Sequence, residues 1–185
     1  MKIPTEIKLP LNDETVRGLA AGDRVLLTGR MYGARDAVHK RFVDLLAAGK
    51  PLPVDLHGEI IFYVGPSPAA PNRIIGAVGP TTSSRMDPYV ESMLAQGLKG
   101  TIGKGPRSED VRQAYKRHGA VHFAATGGTA ALLSRCVVSF EVVAYEELGP
   151  ESFMRFEVDK MPVIVAIDGE GRDMYVRCRD SAGSE

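Results

Sequence analysis

The sequence predicts a mixed α/β layer fold, and three observations carry that expectation. Short apolar runs alternate with amphipathic stretches along the chain, the pattern of a sheet with helices packed on it rather than of a bundle or a sandwich. Two of the apolar runs end in Gly-Pro turns, at Gly65-Pro66 and Gly79-Pro80. At 185 residues the chain fits one domain, expected to span 1–185, and can bury a substantial core.

Residues 24–31 contain Val25, Leu26 and Leu27 behind the turn pair Gly22-Asp23 and read as a buried strand. A helix then begins near Arg35, because Ala34, Ala37, Val38, Phe42, Leu45 and Leu46 recur at three- and four-residue spacing; Gly49 and Pro51 stop it. Runs 60–64 and 74–78 read as strands that meet the two Gly-Pro turns. The next helix opens near Met86, with Asp87 and Pro88 in its first turn, and ends near Gly97. Residues 98–103 are a weak strand candidate. Ser108 ahead of Glu109 and Asp110 marks another helix start, with Val111, Ala114 and Tyr115 on its inner face. A strand at 121–125 runs into the turn at 126–129 and a short helical stretch through Leu133, and a strand follows at 137–145. Runs 153–158 and 162–167 read as two strands. The turn at 168–171 leads into a third at 174–176, and 180–185 reads as a frayed end.

Charge and composition narrow the function. The chain balances 23 basic against 23 acidic residues, so no basic face for nucleic acid or a membrane surface is expected. No stretch approaches the roughly 20 apolar residues of a membrane span, and the chain reads as cytoplasmic. Cys136 and Cys178 are too few for an iron–sulfur cluster, which usually takes three or four thiolates. His39, His57, His118 and His122 lack zinc-site spacing and read as structural.

Three loops join a basic residue to a glycine-rich or strand-ending segment, where ligands bind in α/β domains. In the first, Arg35 stands at a helix start, where a guanidinium, free amides and the helix dipole can together hold a carboxylate; pairing with Asp36 is the plain alternative. In the second, Thr81, Thr82, Ser83 and Ser84 precede Arg85 just ahead of a helix, as an oxyanion grip or as ordinary caps. The third, Gly103-Lys104-Gly105-Pro106-Arg107, lets the backbone come near a ligand beside the Lys104 charge, and it lacks the spacing of a P-loop. Gly127-Gly128 could form an anion nest, although a tight turn is the simpler reading.

Taken in order, the Arg35-Asp36-Ala37-Val38-His39-Lys40 stretch, GPTTSSRMD over 79–87 and GKGPRS over 103–108 resemble the class I fumarate hydratase family. The resemblance is to its C-terminal domain or separate β subunit, a part shared with L(+)-tartrate dehydratase. YVGP at 63–66, the 127–130 segment and YEELG at 145–149 extend it over nearly the whole chain. It implies a swivelling β/β/α domain and a hydro-lyase that adds water to fumarate to give L-malate, active only with a partner α subunit. Dehydration of L-tartrate to oxaloacetate and a stand-alone dicarboxylate-binding module remain open alternatives. The implied cofactor is a 4Fe-4S cluster bound by the partner α subunit and not by this chain, in an α2β2 heterotetramer. By motif, Arg35, Arg85 and Lys104 are the expected carboxylate-binding residues and Thr81 the expected catalytic hydroxyl; His39 is expected to be structural.

Overall fold

A computed structural model of the chain describes residues 3–126 and 128–176. Its strands are β1 (Thr5–Lys8), β2 (Arg24–Gly33), β3 (Ile60–Phe62), β4 (Gly100–Gly103), β5 (Val121–Ala124), β6 (Val137–Ala144) and β7 (Phe153–Ile167). Its helices are α1 (Asp13–Arg17), α2 (Asp36–Ala47), α3 (Asp87–Ala95), α4 (Glu109–His118) and α5 (Ala130–Leu133). The strands form one seven-stranded mixed sheet in the order β1-β2-β3-β4-β5-β7-β6. This is the α/β fold with a mixed sheet and flanking helices that the sequence predicts.

Neighbours from β1 to β5 are parallel, whereas β7 is antiparallel to β5, to β2 and to β6. Ile164 pairs with Arg24 on one side and Ala124 on the other, so β7 joins β2 to β5 and closes β2, β3, β4, β5 and β7 into a ring. Alternation along each strand then assigns two cores. Val25, Leu27, Met31, Ile60, Phe62, Ile102, Phe123, Phe156 and Val165 fill the first. Ile61 and Tyr63 point the other way, into a second core with Val38 and Phe42 of α2, Val90 and Met93 of α3, and Val111 and Tyr115 of α4. Strands β3, β4 and β5 are buried along their whole length, which explains the unbroken apolar run of β3, Ile60–Phe62; Thr101 in β4 and His122 in β5 interrupt the pattern in the other two.

Local chemistry sets the helix ends. The Ser108 hydroxyl accepts from the Val111 amide at 3.4 Å to open α4, and Gly119 closes it in the left-handed region at φ 55. Asn12 caps α1 in the same way, accepting from the Thr15 amide at 2.8 Å. Both β1 and α1 escape sequence reading: β1 turns only Ile7 inward and α1 buries only Val16, too few apolar positions for a period to show.

Three expectations are corrected. Residues 74–78 form an irregular loop instead of a strand: the Ser67 amide donates to the Ala77 carbonyl, and the Val78 amide to Ala130, so its backbone groups pair singly rather than in a ladder. Runs 153–158 and 162–167 are one strand, β7. At the junction the Lys160 amide donates to the Thr28 hydroxyl at 2.9 Å, and pairing with β2 resumes past the bulge. Residues 174–176 are helical rather than extended, because the buried Asp173 carboxylate accepts from the Tyr175 amide at 2.7 Å and turns the chain. Gly127 and 180–185 lie outside the described residues.

Gly33 closes β2 immediately before the Arg35 loop. A Cβ there would lie 2.4 Å from Cε2 of the buried Phe156 ring and 3.1 Å from Val64 Cγ1. Gly33→Ala is therefore expected to destabilise the fold by about 1–3 kcal/mol through overpacking. Urea unfolding should show a lower midpoint at unchanged slope, and an unchanged midpoint would contradict this packing.

Candidate functional site

The three loops predicted from sequence leave the carboxyl ends of adjacent parallel strands, the edge where open α/β sheets bind ligands. From β2 the chain passes to Arg35, which occupies the N-cap position of α2. The loop carrying Thr81 to Arg85 crosses the end of β3: the Thr81 amide donates to the Tyr63 carbonyl at 2.7 Å. Lys104, directly after β4, is threaded into it, for its amide donates to the Thr81 carbonyl at 3.1 Å and its carbonyl accepts from the Ser83 amide at 2.8 Å. Thr81 and Lys104 are thus adjacent through backbone.

Arg85 reaches across to α2. Its Nε and Nη2 donate to the two carboxylate oxygens of Asp36 at 3.0 and 2.7 Å, a planar two-pronged contact. A guanidinium has five N–H groups, so several remain for a ligand, and the side chain is 48% exposed. Arg35 does not pair closely with Asp36, which lies 3.9 Å away; its Nη2 meets Glu151 at 3.2 Å. The guanidinium lies over Gly65, where a Cβ would come within 2.8 Å of Nη1, so a side chain at that position of the YVGP turn would push Arg35 aside. Arg35, Thr81, Arg85 and Lys104 are therefore gathered on one edge of the sheet.

Beneath them lies a polar cluster that sequence reading passed over. The Arg107 side chain has no exposed surface, and its Nε donates to Asp87 Oδ1 at 2.6 Å. The other Asp87 oxygen accepts from the Ser108 amide at 3.2 Å. Arg107 Nη1 lies 3.4 Å from the hydroxyls of both Tyr63 and Tyr115, with the guanidinium carbon 5.5 and 5.9 Å from their ring centres. Burial pulls the Arg107 pKa down, but the Tyr63 and Tyr115 oxygens and the Asp87 carboxylate push it up, and the net effect is a rise, so the group stays charged. Asp87 ends GPTTSSRMD, Tyr63 opens YVGP and Arg107 closes the Gly-Lys-Gly-Pro-Arg loop. One ion pair, with its guanidinium buried and its carboxylate half-buried, thereby clasps three loops together. The signal available in sequence was opposite charges inside two motifs, but nothing in their spacing says that they meet.

His39, expected to be structural, is 1% exposed. Its Nδ1 lies 2.9 Å from the Arg35 carbonyl, which can only accept, so Nδ1 carries the proton. The ring packs edge-on against Tyr63, with centroids 5.4 Å apart. Burial lowers its pKa from 6.5 to about 4.

Guanidinium, ammonium and hydroxyl groups suit carboxylates and supply none of the thiolate donors that hold an iron–sulfur cluster. Among the described residues no group of three or more His, Cys, Asp or Glu is placed to hold a metal ion. Cys136, a half-buried free thiol whose pKa is raised by burial, lies on a different element, between α5 and β6. A cavity of about 590 Å³ lined by Ser67, Arg73, Ile75, Ser134 and Arg135 likewise involves none of the predicted site residues.

Fold and site together define a mixed α/β domain that carries cationic loops and a hydroxyl-rich turn at its strand ends. The chain belongs to the fumarase C-terminus family, whose model matches residues 2–178. It is 33% identical to fumarate hydratase 2 of Leishmania major over 177 residues, covering 94% of this chain and 31% of that protein. It is 36% identical to the anaerobic class I fumarate hydratase of Escherichia coli over 154 residues, 82% of this chain and 28% of that one. Against a putative L(+)-tartrate dehydratase subunit beta of Methanocaldococcus jannaschii, identity is 35% over 171 residues, 89% of this chain and 88% of the relative. The chain thus spans less than a third of the fumarate hydratases and most of the β subunit.

Two expectations follow. Asp87→Asn leaves a buried guanidinium without its counter-charge, and the chain should lose about 3–5 kcal/mol of stability in denaturant unfolding; a loss well under 1 kcal/mol would mean that the clasp carries no weight. The His39 pKa is lower folded than unfolded, so between about 4 and 6.5 the unfolded chain binds the extra proton and stability rises with pH. Acidification from pH 6.5 should remove about 1.4 kcal/mol per pH unit for such a group. His39→Gln should flatten that slope in urea titrations at pH 7 and pH 5, and an unaltered slope would remove His39 as its source.

Proposed function

We propose that this chain, as one domain over 1–185, is the substrate-binding part of a hydro-lyase that hydrates fumarate reversibly to L-malate. The observation that carries the reading is the gathering of Arg35, Thr81, Arg85 and Lys104 on one sheet edge, in motifs that match the family. Arg35, Arg85 and Lys104 would hold the two carboxylates of a four-carbon dicarboxylate by charge and by paired hydrogen bonds. Thr81 would act next to the carbon-bound proton. An unassisted threonine hydroxyl is a poor base at neutral pH, so it needs an activating carboxylate from elsewhere in the assembly.

The catalytic 4Fe-4S cluster belongs, in this proposal, to a partner α subunit, in an α2β2 heterotetramer in the cytoplasm. Two features support dependence on a companion: the donor set here suits anions rather than iron, and a relative of nearly the same extent is named a β subunit. The described residues contain no helix long and apolar enough to cross a membrane. The same β-subunit relative favours L(+)-tartrate as the second reading, and competition kinetics with malate and L-tartrate on the assembled enzyme separates the two. A stand-alone binding module would instead bind a dicarboxylate tightly with no companion, which calorimetry on the chain alone would reveal.

Assembled with a cluster-bearing partner under anaerobic conditions, the complex should interconvert fumarate and malate, while the chain alone should not. Arg85→Lys replaces a planar fork, which can hold Asp36 and a carboxylate at once, by a point charge. It should lower kcat/KM about ten- to hundredfold, or about 1.4–2.8 kcal/mol of transition-state binding. Turnover near that of the unsubstituted complex would reject the role given to Arg85.

A further inference from the structure

Strand β5 reads Val-His-Phe-Ala and is wholly buried, so an imidazole at its second position replaces an apolar side chain that would fill the site without needing partners. His122 is completely inaccessible and both ring nitrogens are engaged. Nδ1 lies 2.8 Å from the Thr101 hydroxyl, its register partner on β4, and Nε2 lies 3.2 Å from the Ser83 hydroxyl. The Thr101 hydroxyl also meets the Tyr115 hydroxyl, which lies 3.4 Å from Arg107 Nη1. A continuous buried chain of polar groups therefore runs from the Arg107–Asp87 clasp to Ser83.

Ser83 is where this chain meets the candidate site. It is itself fully buried, two residues from Thr81 on one side and from Arg85 on the other. Its amide donates to the Lys104 carbonyl at 2.8 Å, and its hydroxyl lies so close over Gly103 that a Cβ there would approach it to 2.3 Å. The side chain is pinned from below by His122 and the backbone from the side by Lys104.

We propose that His122 is a positioning residue which, through its bond to Ser83, fixes the 81–85 loop and with it Thr81 and Arg85 relative to Lys104. The imidazole acts as a brace rather than as an acid or base: burial, seconded by the Arg107 charge, holds its pKa well below 6.5. A buried hydrogen-bonded chain of this kind selects one arrangement, because any slip of the loop orphans the Ser83 hydroxyl and His122 Nε2 together. The kinetic consequence rests on the hydratase reading above; the placement of the loop does not.

Two substitutions of like polarity separate positioning from simple filling of space. A glutamine at 122 can place its amide where Nε2 stands and keep the Ser83 bond, whereas an asparagine reaches only the Nδ1 position and keeps the Thr101 bond. In the complex with the cluster-bearing partner, His122→Asn and Ser83→Ala should each lower kcat/KM about ten- to hundredfold, as expected for sub-ångström misplacement of reacting groups. The double variant should be no worse than either, and His122→Gln should keep most of the activity. In amide NMR spectra of the full chain, His122→Asn and Ser83→Ala should shift the Thr81, Arg85 and Lys104 resonances, while His122→Gln leaves them near their original positions. Equal losses for the Asn and Gln variants, or unmoved amides in the Asn variant, would overturn the proposal. If the unsubstituted complex does not hydrate fumarate, the hydratase reading fails by itself, and the amide shifts still decide the role of His122.

Discussion

Everything at the strand ends depends on one buried charge. Arg107 is removed from solvent between two tyrosines, whose oxygens favour its charge, and the Asp87 carboxylate supplies the opposite charge against it. The pair contributes little to stability compared with an apolar filling of the same volume, so geometry is the better account of its presence. Because Asp87 also receives the Ser108 amide, the carboxylate seats both the Lys104 loop and the start of α4, while the same residue opens α3 two residues after Arg85. Loops that would otherwise move separately become one rigid edge.

The ring closed by β7 supplies the floor. Four parallel strands bring the loops to one edge, but an open sheet of that size would leave its second face bare. β7 turns that face inward by pairing with β2 and β5 at once and closing the sheet, and Phe156, Val158 and Val165 complete the core below the site. Above this floor, Asp36 holds Arg85 and Glu151 holds Arg35, so the guanidiniums are oriented before any ligand arrives. Orientation prepared in this way lowers the ordering cost that a long side chain would otherwise impose on binding.

How far the sequence was legible follows from the range of each signal. Elements built from local periodicity, such as β2, α2, α3 and α4, could be placed because their apolar residues repeat within one segment. The candidate site residues could be named because each sits within a short contiguous motif. What stayed hidden depends on pairing across distance: Arg107 with Asp87, and Ser83 with His122, meet only after the sheet has formed. The continuity of β7 past Lys160 was hidden for the same reason, since it relies on the Thr28 hydroxyl of another strand. Residues 74–78 misled because a β-branched run reports apolar burial, whereas only backbone partners decide whether a ladder forms.

The most direct measurement is a crystal structure of the chain assembled with its cluster-bearing partner and a bound four-carbon dicarboxylate. The expected result places nitrogen atoms of Arg35, Arg85 and Lys104 within hydrogen-bonding distance of the carboxylates, with Arg107 and Asp87 still paired beneath. A dicarboxylate held wholly by the other chain, with these three side chains turned to solvent, would contradict the binding role assigned to this edge.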